Sequence, residues 1–481
     1  MKHFSRALVW LTISEIIFNL AGYIIHASLG RILGPEDYGR FGITVTLTTM
    51  IIVLLGNGIP TAMSKYLAEN FESHPERVKG IKNAAIYLQA LIMVPASIIF
   101  YLIAPWIATT VLRDATLTPL FQISAFIIPG FALASFYFYF YTGLHFFRLQ
   151  ATLKTLRAVA RIIFIIGFAY LWGVAGAVSG YIAAPLAVFA IAFLYDMLKV
   201  NPTLPPKDPN FQLQKKDLFQ YAWPFTLFLI FYELVLTADL YFVKALLQSD
   251  YLTGLYNATI TVGRIPYYLF YALTIILLPA IAKAKTLNSE KEVSSLVQKT
   301  LLLIYVLLIP MVTFLFAYSQ EVILFFYGQK YLASIPSFEV FVFGAGLLTI
   351  FYVLAFALHG AGRVKVPMTL SLFGVILLST LNLYLVPVYQ LTGAAWAVTL
   401  TSFFLAAGVF LYTKIEFKIS LLPKALFLSL VSTTIFTGLA LSIPVNQYWF
   451  IPVGALLFGG HLALLYLLKV IKLEDFRKPK K

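Results

Sequence analysis

The chain has 481 residues, of which 60% are hydrophobic and only 11% are charged, and its formal net charge is +15. This balance excludes a soluble globular protein and identifies an integral membrane protein. The sequence contains no cysteine, which excludes disulfides and thiolate metal sites.

Apolar runs of about 20 residues follow one another along the chain, and each can cross a hydrocarbon core of about 30 Å as a helix. They predict an all-α fold with fourteen spans, at residues 8–29, 40–64, 82–103, 118–141, 154–172, 174–198, 218–247, 256–282, 298–319, 337–360, 366–388, 391–413, 424–443 and 447–470. A count of twelve, without one pair, stays open. The first run contains polar residues and no small-residue cleavage site, so a span is expected there rather than a removed signal peptide.

The basic residues collect on one side of the membrane if both chain ends are cytoplasmic. Only six of the 35 then lie elsewhere: Arg31, Arg40, Arg113, Lys244, Arg264 and Lys330. Cytoplasmic loops show this asymmetry, so we expect a multi-pass protein of the cytoplasmic membrane with both termini inside. The net charge then reflects topology, and no nucleic-acid partner is expected, because a soluble basic face and a stacking platform are both missing.

The first six spans resemble the next six. "SEIIFNLAGYIIHA" from Ser14 aligns with "YELVLTADLYFVKA" from Tyr232, which places Glu15 on Glu233. Duplicated bundles with a site at their interface are a common transporter plan. We therefore predict a six-helix lobe at residues 1–200, a cytoplasmic linker at 201–217, a second lobe at 218–414, and an additional helix pair with a basic cytoplasmic tail at 415–481.

Three predicted spans carry polar side chains along one helical face. These faces comprise Glu15, Asn19 and His26 on the first span, Glu233, Thr237 and Lys244 on the seventh, and Asn257, Thr261, Arg264, Tyr268 and Tyr271 on the eighth. Arg264 lies about 12 Å into its span at helical rise. A charge facing lipid at mid-membrane costs about 2.5 to 3.5 kcal/mol, so we expect these faces to meet each other or water.

Two interpretations of these charges are open. In the first, Arg264 and Lys244, with Arg31 and Arg40 at the outer rim, attract the phosphates of an anionic lipid-linked sugar. Guanidinium groups suit this role because they bind phosphate oxygens bidentately and stay charged. The polar residues beside them line the same cavity, and the tyrosines of the eighth span stack on sugars or simply pack with other aromatic rings.

In the second interpretation, the same charges form buried ion pairs that only fix the helix register. The candidate pairs are Glu233 with Lys244 and Glu15 with Arg264.

Four motifs resemble a known family: "LGRILGPEDYGRFG", "LGNGIPTAMSKYLAE", "FFYGQKYLAS" and "LNLYLVPVYQLTGAAWAVTLTS". The chain resembles the polysaccharide transporter family of the multidrug/oligosaccharidyl-lipid/polysaccharide exporter superfamily, which includes oligosaccharide-lipid flippases and the related lipid II and sporulation-type flippases. The resemblance implies two six-helix lobes around a central cavity that opens alternately to each side. It also implies a transporter, not an enzyme, that moves a lipid-linked anionic glycan across the membrane. We expect the chain to function as a monomer, with membrane lipids as its other partners.

The family resemblance further implies an ion site. In lipid II flippases an acid on the seventh helix joins side chains of the eleventh and twelfth helices to hold sodium, and Asp239, Asn382 and Thr399 stand at such positions. A second carboxylate is missing from the eleventh span. Sodium at Asp239 and proton coupling through Glu15, Glu233 or Asp239 are therefore both open, and no other cofactor is expected.

Two alternatives for the function remain. The first is a multidrug or cation antiporter on the same fold. A cavity rich in acids and without an intramembrane arginine would suit its cationic substrates better, so Arg264 and Lys244 argue against it. A membrane glycosyltransferase or polymer ligase would need catalytic groups on a large outer loop, and the outer loops are predicted to be short.

Overall fold

The computed structural model describes residues 2–56, 58–206, 215–419 and 423–471, with side chains for all of these except 2–9, 215–226, 272, 275 and 276. The described residues form helices and no strands, so the predicted all-α class is confirmed. The helices are α1 (Lys2–Gly56), α2 (Gly58–Asn70), α3 (Val78–Trp106), α4 (Thr118–Ser124), α5 (Ile127–Gly143), α6 (Phe147–Arg161), α7 (Gly167–Tyr195), α8 (Lys215–Leu247), α9 (Asp250–Gly263), α10 (Ile265–Thr286), α11 (Glu290–Leu303), α12 (Ile309–Ala317), α13 (Ser319–Phe326), α14 (Ile335–Gly360), α15 (Lys365–Glu416), α16 (Pro423–Ser442) and α17 (Phe450–Leu467). Residues 207–214 of the predicted linker and 472–481 of the predicted basic tail lie outside the described residues.

Three helical stretches are much longer than a bilayer is thick, and each contains a break: α1, Phe147–Thr203 (which includes α7) and α15. In α1, whose 55 residues span about 80 Å at helical rise, Gly34 interrupts the helix with φ +75°. Glycine adopts this left-handed conformation without strain, and Pro35 then begins the second segment. α7 breaks at Gly173 with φ +58°, and α15 breaks at Gln390 with φ +51°. These breaks lie between the first and second, the fifth and sixth, and the eleventh and twelfth predicted spans.

The described helices can accommodate the fourteen predicted spans. Nine helical stretches of the described chain are long and apolar enough to cross a membrane, and the three breaks divide three of them in two. α8, and α9 followed by α10, are also of membrane length. The described part of the chain therefore accommodates fourteen spans, of which α16 and α17 are the last pair.

The chain divides into two compact units, Met1–Asn257 and Ala258–Lys481. The boundary lies within α9, beyond the predicted linker at 201–217. The lobes predicted at 1–200 and 218–414 follow the sequence repeat, and their limits stay predictions.

The core of the first unit lies between α2, α3, α5 and α7. The aromatic run of α5, residues 136–141, supplies much of it. At its edge, Lys82 of α3 forms a buried ion pair with Asp196, and its Nζ lies 5.7 and 4.8 Å from the ring centroids of Tyr137 and Phe140. Lys82 is the first residue of the third predicted span, and the structure buries its side chain.

In the second unit, α14 packs against both α10 and α15. The last helix pair is bonded to the wide π-helical turn Ile304–Leu308. Ser429 donates a hydrogen bond to the carbonyl of Tyr305, and the ring of His461 lies with Nε2 3.1 Å from the carbonyl oxygen of Val306. A π turn changes the backbone hydrogen-bond pattern, and the polar side chains of α16 and α17 bond the carbonyls there.

Candidate functional site

Five charged side chains meet at one end of the first unit, and we call them the Lys244 network. Its members are Asp37 and Arg40 of α1, Asp114 in the turn before α4, Lys244 of α8, and Asp250 of α9. The Nζ atom of Lys244 lies 2.6 Å from Oδ2 of Asp114 and is also bonded to Asp250. The Nε atom of Arg40 lies 2.7 Å from Oδ2 of Asp250, and Nη1 lies 3.4 Å from Oδ1 of Asp37. The network thus ties together three turns between spans.

The local structure of each turn orients the acids of this network. Asp114 accepts hydrogen bonds from the backbone N–H and the hydroxyl of Thr116, at 3.0 and 2.6 Å. Burial raises the pKa of the Asp114 carboxyl, but the hydrogen bonds from Lys244 and Thr116 outweigh burial and hold this pKa below its ordinary value. Asp250 is the first residue of α9, where the helix dipole stabilises a negative charge. Lys244 itself is only 2% exposed.

The predicted pairing of Lys244 with Glu233 is wrong. The two residues lie on one helix, α8, and eleven residues of helix separate them by about 16 Å. Asp114 and Asp250, which the sequence interpretation left out, hold Lys244 instead. An aspartate in a turn beside the lysine at the end of a span was the signal that could have identified them. Arg40, predicted to attract phosphate, is likewise bonded to an acid.

Beside the network, α9 crosses the second segment of α1 with the two backbones in contact. A Cβ atom on Gly254 would lie 1.8 Å from the carbonyl oxygen of Pro35, and one on Gly39 would lie 2.3 Å from that of Asp250. Neither position has room for a side chain. The spacing of the glycines in "GPEDYGRFG" was the available sequence signal, since small residues allow membrane helices to approach closely.

The other predicted site residues of the first unit occupy different environments. Asn257 is buried, and its Nδ2 lies 3.5 Å from the carbonyl oxygen of Tyr38. Asn19 and Glu233 are half-buried, whereas Arg31 is exposed near the end of the first segment of α1.

A second charged cluster lies along α6, and we call it the basic face. It comprises Lys154, Arg157 and Arg161, at positions i, i+3 and i+7 of one helical side. All three cations surround the ring of Phe18 on α1, at 5.5, 5.8 and 4.6 Å from its centroid. Glu15 is bonded to Lys154, a partner that neither interpretation of the sequence names. The sequence assigns the three cations to the cytoplasmic side, but α6 carries them into the packed unit.

In the second unit, Arg264 separates α9 from α10 instead of lying within one helix. Pro266 follows closely, and a proline cannot donate the hydrogen bond of the preceding turn. The Cζ atom of Arg264 lies 5.7 Å from the ring centroid of Phe341. The polar face predicted for the eighth span is therefore divided between two helices at this residue.

The tyrosines after this break form an aromatic cluster. Tyr271 stacks on Tyr352 with centroids 5.9 Å apart, and Tyr267 meets Tyr352 edge-on at 5.2 Å. Tyr271 therefore packs with other aromatic rings, as one of its two predicted roles required. Tyr268, by contrast, keeps 39% of its surface exposed. Thr261, before the break, is half-buried.

The predicted ion-coupling residues lie in both units. Asp239, in the first, is fully buried and accepts a hydrogen bond of 3.0 Å from the hydroxyl of Tyr256. Asn382 and Thr399, in the second, donate hydrogen bonds to backbone carbonyls. Their oxygens are of the kind that hard cations bind, but neither unit contains the whole set. Among the described residues, no group of three or more His, Cys, Asp or Glu could hold a metal ion.

Comparisons with known proteins indicate the family and the fold. The family described as polysaccharide biosynthesis protein matches residues 5–285. An uncharacterized membrane protein of Methanocaldococcus jannaschii is 23% identical over 434 residues, which cover 85% of this chain and 97% of that protein.

Two solved structures share the fold. Lipid II flippase MurJ in its inward closed conformation superposes with a TM-score of 0.76 at 15% identity, covering 96% of this chain and 100% of that one. A multidrug resistance MATE family transporter of the MOP superfamily, in an inward-facing conformation, superposes with a TM-score of 0.68 at 14% identity, covering 86% and 98%. At these identities the likeness concerns the fold, which hosts more than one function.

Proposed function

The chain belongs to the polysaccharide biosynthesis protein family, and from this membership we propose that it is a flippase for a lipid-linked oligosaccharide or polysaccharide precursor. It moves this anionic, polyprenyl pyrophosphate-type substrate from the cytoplasmic to the outer face of the cytoplasmic membrane by alternating access. Both termini face the cytoplasm, the chain functions as a monomer, and no covalent bond of the substrate changes. The lipid II flippase of the same fold is named for a lipid-linked substrate, which supports this class.

The observation that carries the proposal is the closure of one end of the first unit. The Lys244 network ties three turns together, and Gly39 and Gly254 bring α1 and α9 into backbone contact beside it. A transporter of this kind must close one side while the other admits substrate, and the closure must be reversible. Ion pairs near the membrane surface suit such a contact, because water can replace each partner when they separate. The basic loops lie on the other side, so the closed end is the outer one.

We propose different tasks for the predicted site residues. Lys244 and Arg40 are members of the Lys244 network and belong to the outer closure. Arg264 and Arg31 are the candidates for contact with substrate phosphates, and the exposed face of Tyr268 is the candidate for contact with a sugar ring. Asn19, Asn257, Thr261, Glu233 and Tyr271 complete the proposed transport path.

The transport is proposed to be coupled to sodium or protons. Asp239 is the proposed ion-binding acid, because it is fully buried within a membrane span and intramembrane acids commonly serve ion pathways. Moving one charge across 100 mV supplies about 2.3 kcal/mol, which is enough to drive accumulation on one side.

Reconstituted vesicles test the proposal. A labelled lipid-linked oligosaccharide is placed in one leaflet, and its appearance in the other is followed with a membrane-impermeant probe. We expect transfer well above that of protein-free vesicles, at least tenfold slower transfer with Arg264→Ala, and an intermediate rate with Arg264→Lys. Arg363→Gln, at an exposed residue bonded to Glu416, is the matched control and should behave as wild type.

The same vesicles separate the alternatives. Efflux of a cationic drug without transfer of the glycan lipid would support multidrug export and overturn the proposal. A lengthened or newly attached glycan in the products would indicate a glycosyltransferase or ligase. If Arg264→Ala inserts and transfers the substrate at the wild-type rate, the phosphate-binding role of Arg264 is wrong.

A further inference from the structure

The basic face of α6 concentrates positive charge around a single aromatic ring. The cationic groups of Lys154, Arg157 and Arg161 all lie within 5.8 Å of the centroid of Phe18. Three cations that share one ring lie close to one another, and Arg157 and Arg161 repel each other directly. The cluster therefore needs negative charge to be stable.

One acid is available to these cations among the described residues. Glu15 is bonded to Lys154 and leaves the two guanidinium groups without a carboxylate partner there. Arg157 is only 7% exposed, and its Nε atom is buried without a hydrogen-bond acceptor in the described part of the chain. Arg161 lies with Nη2 3.5 Å from a neutral group, the hydroxyl of Tyr181, and forms no ion pair among the described residues.

Aromatic rings also contact the two arginines. The Cζ atom of Arg157 lies 4.5 Å from the ring centroid of Phe131, and that of Arg161 lies 5.5 Å from Tyr181. A ring face attracts a cation but accepts none of the hydrogen bonds that a guanidinium donates. Both groups keep N–H donors for an oxygen-rich anion, and apolar rings beside them suit a ligand that also carries a hydrocarbon chain.

We propose that Arg157 and Arg161, assisted by Lys154, form a binding site for a phosphate or pyrophosphate group esterified to a lipid. Arginines four residues apart on a helix present two planar forks to the same side, and each fork fits a pair of phosphoryl oxygens. A pyrophosphate carries enough charge to compensate both guanidinium groups. This inference rests on the proposed function when the lipid is the transported substrate; an anionic phospholipid is the other source of the same chemistry.

Binding to the purified, full-length protein in nanodiscs tests the site. The probes are a polyprenyl pyrophosphate, a polyprenyl phosphate and phosphatidylglycerol, and binding is measured by native mass spectrometry. We expect Arg157→Gln and Arg161→Gln each to weaken binding of the pyrophosphate at least tenfold, and Arg157→Lys to weaken it less, because lysine keeps the charge without the fork. Arg148→Gln is the matched control: Arg148 lies on α6 against an aromatic ring, that of Trp10, but on another side of the helix, and binding should change less than twofold.

The outcomes separate the site from the transport function. If well-folded Arg157→Gln and Arg161→Gln, judged by size-exclusion profile and thermal midpoint, bind all three probes as the wild type does, the site is overturned. If the variants instead lose phosphatidylglycerol binding alone, the site takes a membrane phospholipid and not the carried lipid. Wild-type protein that binds the pyrophosphate through these arginines but transfers no glycan lipid in vesicles would leave the site standing and refute the proposed function.

Discussion

Replacing Lys244 with methionine should open the closed end of the first unit. The change removes the cation between Asp114 and Asp250, whose side chains are only 15% and 13% exposed, and leaves two carboxylates facing each other. Removing one partner of a fully buried pair costs about 3–5 kcal/mol. Because these acids keep some contact with water and Arg40 still holds Asp250, we expect about 2–3 kcal/mol. That shifts the equilibrium between the closed and open ends by roughly 30- to 150-fold.

Disulfide cross-linking measures this shift, since the chain has no cysteine of its own. Glu36→Cys and Tyr251→Cys introduce thiols at exposed positions on the two sides of the contact. We expect rapid cross-linking in the otherwise unchanged protein and much slower cross-linking after Lys244→Met. Adding Asp114→Asn to Lys244→Met removes one unpaired acid and should restore part of the rate.

Lys65→Met is the matched control, because Lys65 lies on an exposed helix face, 3.9 Å from Glu69. An exposed pair of this kind contributes less than about 1 kcal/mol, so cross-linking should stay near the reference rate. Equal cross-linking rates and equal thermal midpoints for Lys244→Met and Lys65→Met would refute the closure by the Lys244 network.

Three further predictions concern stability. Gly254→Ala should lower the thermal midpoint and slow cross-linking, because the added Cβ would lie 1.8 Å from a backbone carbonyl oxygen. Gly438→Ala is the control and should be neutral, since a Cβ there would have nothing within 4 Å. Similar effects of the two variants would contradict the backbone crossing of α1 and α9. The pKa of Asp114 lies below its ordinary value of 3.8, so its carboxylate stabilises the fold at neutral pH and loses this effect as the pH falls through the lowered pKa. Below about pH 4, the thermal midpoint should therefore fall more steeply with pH for the wild type than for Asp114→Asn. Parallel curves of thermal midpoint against pH would disprove this stabilisation by Asp114. Lys82→Met should lower the free energy of unfolding by about 3–5 kcal/mol, because it leaves the buried Asp196 carboxylate without its cation. The double variant Lys82→Met with Asp196→Leu should recover most of this stability in the same melting assay. If the double variant stays as unstable as Lys82→Met, the ion pair is not the cause.

The helical breaks show which features of the fold can be predicted from local sequence. The glycine before Pro35, Gly173 and Gln390 each end an apolar run that is already long enough to span the bilayer, and the structure breaks at these points. The length of a span depends only on membrane thickness and helical rise, so it can be counted along the chain. The break at Arg264 was missed although Pro266 marks it, because the surrounding run is apolar enough to be taken as one helix.

The ion-pair partners of the charged residues could not be predicted from the sequence. Lys244 and Asp114 are 130 residues apart, Arg40 and Asp250 are 210 apart, and Lys154 and Glu15 are 139 apart. Helical periodicity indicates which side chains share one face of one helix, and it contains no information about the helix packed against that face.

The sequence by itself determined the membrane class, the all-α fold, the approximate positions of the spans, and the presence of charges within the apolar runs. These are properties of single segments, decided by the transfer of each segment from water into lipid. Only the tertiary structure decided that acids hold Lys244 and Arg40 in a network at one end, and that Arg157 and Arg161 face aromatic rings. A charge in a packed membrane protein takes its partner from whichever helix lies against it, and helix packing places that partner far away in the chain.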